Sequence, residues 1–361
     1  MKIGIINMIL KQVILKNLRN FSLEKFEFNP FLTIILGENS KGKTNLLEAI
    51  HLIIHGSGFR ETREGELIRF EENEAGIQGV FGVEDENFIF EVILKKKLLA
   101  SASNVASVEK IFTINKSKKK YLQYLRETPK IVLFQPEQIE IITGSPEKRR
   151  RYFDNFLTSF DLVYKKRLIN YENAIRQRNK ILEKYRNELD LRDELTFWNK
   201  YLEEQGTYLT QNRKLYTDFL NSHEKIDNKE FSIEYLKNEF NQKRLEENFD
   251  LERRYRKTII GPQKDDFQIS QKDRLVKNLH HFGSRSEQRL GVFWLKFNEI
   301  KFIEDRLKIK PILLLDDIFS ELDLKNKKLV IDLVRKYQTI VTTTEIELLE
   351  LADMPKSIIK L

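Results

Sequence analysis

The 361 residues contain no cysteine. That absence removes disulfide frameworks, Cys-ligated zinc and iron–sulfur centres, and thiol nucleophiles, and it fits a reducing cytosol. Long apolar runs are missing as well. The only early one, Ile3 to Leu10, falls far short of the roughly 20 residues a membrane-spanning helix needs, and no small-residue cleavage site follows it. No membrane association and no export signal are therefore expected.

What is present describes a globular chain of about two domains. Residues are 40% hydrophobic and 33% charged, and mean hydropathy is −0.48. Lys+Arg outnumber Asp+Glu by 63 to 55, a formal charge of +8. So small an excess favours a polyanionic partner only where the cations cluster. They do so at Lys95 to Lys97, at Lys116 with Lys118 to Lys120, at Lys148 to Arg151, and at Arg253, Arg254, Arg256 and Lys257. Any one such run is more often a solvated face than a nucleic-acid contact.

Between Ile9 and Phe28 apolar and polar residues alternate, which predicts two antiparallel strands. Thr33 to Leu36 is a short apolar run of the kind buried on both faces of a parallel sheet. Strand-like segments are expected over 77–94 and 107–134. Ser145-Pro146-Glu147 marks a helix start, with Ser as N-cap and Pro at the first helical position. Leu168, Tyr171, Ile175, Leu182, Tyr185 and Leu189 then form a heptad seam interrupted by Arg178. A second seam follows a charged break near Asp190 to Asp193: Leu195, Trp198, Leu202, Leu209, Tyr216 and Phe219. An antiparallel helical hairpin is expected, with β structure resuming near Thr258 and ending in Ile312 to Asp316. The organisation expected is an α/β lobe in two halves, 1–144 and 258–361, flanking a helical insertion at 145–257.

Gly37-Glu38-Asn39-Ser40-Lys41-Gly42-Lys43-Thr44 satisfies G-x-x-x-x-G-K-[ST]. An apolar strand precedes it, and Asn45 opens a good helix former. In such a loop the backbone N–H groups from Gly37 to Asn45 cradle phosphate oxygens, Lys43 reaches the β and γ phosphates, and the Thr44 hydroxyl ligates Mg²⁺. Ile312 to Asp317 is the complementary signal: four apolar residues, then two aspartates at the carboxyl end of a strand, the edge on which ligands bind in open α/β sheets. Asp316 is the expected magnesium ligand, and Asp317 the group that polarises the attacking water.

These segments resemble the bacterial recombination-repair ATPase family RecF, itself related to SMC proteins and ABC-type ATPases. The resemblance is carried by Leu18-Arg19-Asn20-Phe21, Gly37 to Ile50, Phe59-Arg60 with Glu66 to Arg69, and Gly144-Ser145-Pro146 with Arg149-Arg150 and Asp154. Gly261-Pro262-Gln263-Lys264-Asp265-Asp266 and Leu313 to Asp323 complete it. The family's usual start falls at Met8. The resemblance implies an ABC-type, SMC-like P-loop head whose two copies close face to face on two ATP molecules. Ser284 to Arg289 sits where the family carries its signature motif. Ser284 and Ser286, with Asp323 from the loop after the second carboxylate, would meet the partner copy. Here Ser286 replaces the usual glycine and Glu287 the usual glutamine, although SMC relatives also carry an acid at that place; the change bears on the hydrolysis rate and not on nucleotide binding. Gln135 fits either a sensor of magnesium and water, as in SMC relatives, or a turn residue. Thr343 lies at the family's switch position.

The function so implied is an ATP-dependent DNA-binding protein of recombinational repair and replication restart. It would dimerise on ATP at DNA gaps or single-strand/duplex junctions, release on slow DNA-stimulated hydrolysis, and work in the cytoplasm with RecR-type and RecO-type partners. Candidate contacts to duplex DNA are Arg60, Arg63, Lys118, Lys119, Lys120, Arg149 and Arg150. Arg149 and Arg150 suit equally a pairing with nearby acids in the core. An SMC-type chromosome-organising head is the alternative, but the chain holds one helical hairpin where a long coiled-coil arm needs hundreds of residues. The motor of a membrane transporter would leave Gly144 to Asp154 and Gly261 to Asp266 unexplained.

Overall fold

A computed structural model describes residues 7–60, 63–97, 107–185, 187–223, 225–226, 228–272, 275–321, 324–344 and 354–361. The chain divides into two compact units, residues 1–136 with 299–361, and residues 137–298.

In the first unit β1 (Ile9–Leu18) and β2 (Phe21–Glu27) form the expected hairpin. Its turn is Arg19-Asn20, with Arg19 in the left-handed region at φ 52°. β3 (Leu32–Leu36) leads through the glycine loop into α1 (Lys43–His55). β4 (Glu74–Val83), β5 (Glu86–Lys97), β6 (Ser107–Ile114) and β7 (Ser117–Lys119) complete an antiparallel sheet in the order β2-β1-β4-β5-β6-β7. Within 107–134, expected to be strand-like throughout, α2 (Tyr121–Glu127) intervenes before β8 (Ile131–Phe134). Burial of its aromatics explains the difference. The Tyr124 hydroxyl donates to the Ile53 carbonyl at 2.5 Å and that of Tyr121 to the His55 carbonyl at 2.8 Å, both at the end of α1.

The second unit holds α3 (Glu140–Thr143), α4 (Pro146–Phe160), α5 (Leu162–Lys184) and α6 (Glu188–Ser222). α4 begins at Pro146 as expected. α5 and α6 run antiparallel, since Arg167 bonds Glu204 while Arg178 bonds Asn199. α5 ends at Lys184 and α6 begins at Glu188, ahead of the expected break. Asp190 to Asp193 instead sit in the opening turns of α6, where acids complement the positive end of the helix dipole.

The insertion is not wholly helical. β9 (Lys225–Ile226), β10 (Lys229–Leu236), β11 (Asp266–Lys272) and β12 (Val276–Asn278) form a second antiparallel sheet, with α7 (Gln242–Tyr255) between β10 and β11. β10 pairs with β11 from Glu230↔Lys272 to Leu236↔Asp266, so a boundary at 257/258 would cut through this sheet; the packing places the unit's limits at 136/137 and 298/299. α8 (Leu279–Phe282) and α9 (Arg285–Leu307) follow, the latter running past the 298/299 limit and occupying part of the expected β run. Leu290, Phe293, Trp294, Leu295, Ile300, Phe302 and Ile303 are buried along α9, a helical and not an alternating pattern.

Back in the first unit, β13 (Ile312–Asp316), α10 (Leu324–Val334), β14 (Thr339–Thr343) and β15 (Lys356–Lys360) complete the fold. A parallel sheet results, in the order β15-β3-β14-β13-β8. β13 and β14 are buried along their whole length and β3 over its first four residues, as their apolar runs predict.

Candidate functional site

Parallel register brings four strand ends to one edge. Leu36 pairs with Thr343, Asp316 with Thr342, and Leu315 with Phe134, so the glycine loop, Asp316, Thr343 and Gln135 all lie at the carboxyl edge of the sheet. Asp316 is 6% exposed, and its Oδ1 accepts from the Thr44 hydroxyl at 3.0 Å and from the Thr342 hydroxyl at 2.8 Å. The two motifs thus meet through a direct hydrogen bond across 272 positions of sequence. Asp317 follows in the left-handed region at φ 46°, its amide donating to the Thr342 hydroxyl at 3.0 Å and to the Thr342 carbonyl at 3.3 Å. Such a conformation is sparsely populated for a non-glycine residue and is held here by Thr342.

Within the loop, Lys43 is 7% exposed and its ammonium donates to the carbonyls of Gly37 (2.6 Å) and Glu38 (3.0 Å). The lysine stem therefore curls over the loop mouth, with its charge where phosphate oxygens would arrive. Asn39, Ser40 and Lys41 are exposed at the tip. Gly42 has φ 104° and begins α1; a Cβ there would sit 2.6 Å from Asn20 Nδ2. Only glycine meets both demands.

The Arg19-Asn20 turn buttresses this arrangement. Asn20 donates to the Lys41 carbonyl (3.2 Å) and accepts from Asn45 (2.7 Å), and Asn45 in turn accepts from Arg60 (3.0 Å). Arg19 pairs with Glu48, a carboxylate 1% exposed on α1, at 2.9 Å, and Arg60 lies 3.9 Å from the same oxygen. Arg60 is thus engaged with the loop's own supports. Arg63 is exposed beside residues 61 and 62, which lie outside the described set.

The other expected basic contacts divide. Lys118 and Lys120 are exposed, whereas Lys119 bonds Glu127 at 3.0 Å. Arg149 is buried and forks onto Asp266 at 2.6 and 3.0 Å, and Arg150 donates to the Asp265 carbonyl at 2.7 Å. These two therefore serve the core of the second unit, the alternative their sequence context allowed. Nearby, Arg213, 2% exposed, binds Asp154 at 2.9 Å, Asp265 at 2.7 Å and the Pro262 carbonyl at 2.8 Å. Tyr235 also bonds Asp265. The Gly144 to Asp154 and Gly261 to Asp266 segments are thereby explained as two sides of one buried ionic network.

Ser284 and Ser286 are exposed at the start of α9. Asp323 lies outside the described residues. Sequence reasoning does not single out Thr342, although a threonine facing Asp316 in the neighbouring buried strand is a signal for it. Asn20 and Glu48 lie in segments that carry the resemblance, but their roles as supports of the loop emerge only from the contacts. Among the described residues no three His, Asp or Glu cluster to hold a metal. Thr44 and Asp316 instead present two hard oxygen ligands, a set suited to a cation that completes its shell with phosphate oxygens and water.

The chain matches the family described as RecF/RecN/SMC N terminal domain over residues 9–360. It is 32% identical to the DNA replication and repair protein RecF of Natranaerobius thermophilus, over 94% of this chain and 92% of that one. Among solved structures, the recombination mediator protein RecF with ATP, of the RecFOR pathway, superposes with a TM-score of 0.82 at 28% identity, covering 98% of this chain and 95% of that one. An SMC head domain from Pyrococcus furiosus shares the fold, with a TM-score of 0.52 at 17% identity over 96% of this chain and 92% of its own.

Proposed function

This chain belongs to the RecF family, and on that premise we propose that it is an ATP-gated DNA-binding protein of recombinational repair and replication restart. It dimerises on ATP at gaps or single-strand/duplex junctions in DNA and releases on hydrolysis. The observation that carries this reading is the Thr44–Asp316 hydrogen bond, which joins the phosphate loop to the second carboxylate motif. ATP would lie on the loop from Gly37 to Asn45, with Lys43 on the β and γ phosphates. Thr44 and Asp316 would hold Mg²⁺, whose contribution is to neutralise developing phosphate charge. Asp317 would polarise the attacking water, and Gln135, beside Asp316, would sense water and cation.

One copy does not complete the site. Ser284 and Ser286 of a second copy, with Asp323 as the resemblance implies, would cover the γ-phosphate and the dimer seam. Repair partners of the RecR and RecO type would then act on the closed form, in the cytoplasm. No helix among the described residues is long and apolar enough to cross a membrane. The test is ATP hydrolysis by the purified chain with and without duplex DNA. Slow turnover accelerated by DNA is expected; ATP hydrolysis indifferent to DNA, or none at all, overturns the reading.

A further inference from the structure

At the start of α9 Glu287, one of the two residues that depart from the family's signature, closes an arrangement with Ser284 and Lys277. Ser284-Arg285-Ser286-Glu287 is a capping box: the Glu287 amide donates to the Ser284 hydroxyl oxygen at 3.3 Å, and the Ser284 amide donates to Glu287 Oε2 at 2.7 Å. The same carboxylate oxygen takes a 2.7 Å bond from the Lys277 ammonium on β12. Hydrogen bonding from Lys277, then from Ser284, outweighs partial burial and holds the Glu287 carboxyl down at about 2. It is therefore a fixed negative charge at physiological pH.

A free helix start offers amides and the positive end of its dipole to an anion. Here one of those amides is occupied by the protein's own carboxylate. We propose that Glu287 is an internal competitor for the γ-phosphate that this helix start receives from a second copy, and that Lys277 is the counter-charge that keeps the competition from being prohibitive. The inference rests on the face-to-face dimer proposed above and assigns its regulation: closure on ATP is weakened by a charge that the usual glutamine would lack. Glu287 acts through Ser284, so it is a positioning residue.

The test is ATP-dependent self-association, followed by light scattering or sedimentation over a range of protein concentrations. E287Q keeps a capping box, since glutamine serves at that position as well, and removes only the charge. Its association midpoint should fall by about tenfold, the scale of one partly screened charge beside a phosphate. Lys277→Ala should raise the midpoint severalfold in the wild-type background and change it little in E287Q. An E287Q midpoint equal to or above that of wild type overturns the inference. So does an equal effect of Lys277→Ala in both backgrounds. If neither wild type nor E287Q associates with ATP at any accessible concentration, the dimer reading itself falls and takes this inference with it.

Discussion

The Lys43 ammonium is placed by two loop carbonyls, so the protein itself sets the charge over the loop. Lys43→Ala should preserve the fold and abolish both ATP binding and ATP-stimulated DNA binding; wild-type DNA binding by a folded variant would contradict the assignment. The two aspartates separate by role. Asp316 accepts from Thr44 and Thr342, bonds that Asp316→Asn can still accept, so this variant should lose chiefly Mg²⁺-dependent ATP binding. Asp317→Asn should bind ATP nearly normally while turnover drops by ~10²–10⁴-fold, the range for loss of a general base. Matching binding and turnover profiles for the two variants would refute that division. Glu287 supports a pH prediction as well. Its carboxyl is lowered from an ordinary 4.5 to about 2, so the stability it adds is present above pH 4.5 and is lost as pH falls toward 2. The difference in thermal midpoint between wild type and E287Q should shrink over that acid window, and a constant difference would argue against it.

At the scale of elements, the phosphate-loop strand, the helix after it and the strand ending in Asp316 were legible because each is a local pattern: a four-residue apolar run, a glycine spacing, a pair of acids. Ser145-Pro146 announced α4 for the same reason. The sheet β9–β12 was not legible. Its pairing joins residues on either side of α7, and short strands interleaved with helices carry too little periodicity to stand out. α2 was misread because Tyr121 and Tyr124, strand formers by propensity, are recruited to α1 by hydrogen bonds that depend on tertiary structure. Of the site, Lys43, Thr44 and Asp316 could be read from motifs, whereas Asn20 and Glu48 act through contacts over tens of residues. The buried network around Arg213 gives an element-scale prediction. Arg213→Met leaves Asp154 and Asp265 buried without their cation, and loss of one partner of a buried ion pair costs ~3–5 kcal/mol. Urea unfolding should show a loss of that size, and a variant within about 0.5 kcal/mol of wild type would mean that Arg149, Arg150 and Tyr235 suffice.

For the molecule as a whole, positive charge is spread in patches, and neither the sequence nor the fold of the described residues supplies a helix-turn-helix or zinc finger to read bases. Duplex DNA would then be held through its phosphates by a surface that ATP-driven closure assembles from two copies, with affinity falling steeply with salt. Neutralising Lys118, Lys119 and Lys120 together should flatten the salt dependence and weaken binding about equally for unrelated sequences. Lys119 contributes least, since Glu127 already engages it. A sequence-dependent loss would point to base readout instead. Closure in trans is testable by mixing: Ser284→Arg and Lys43→Ala chains, each inactive alone, should together recover one composite site. The most direct measurement of the central claim is the mass of the particle in solution, determined with Mg²⁺ and no nucleotide, with ATP, and with ATP plus duplex DNA. The account predicts a monomer that becomes a dimer on ATP and a dimer bound to DNA when duplex is added. A mass unchanged by ATP, with DNA bound equally well without nucleotide, would contradict it.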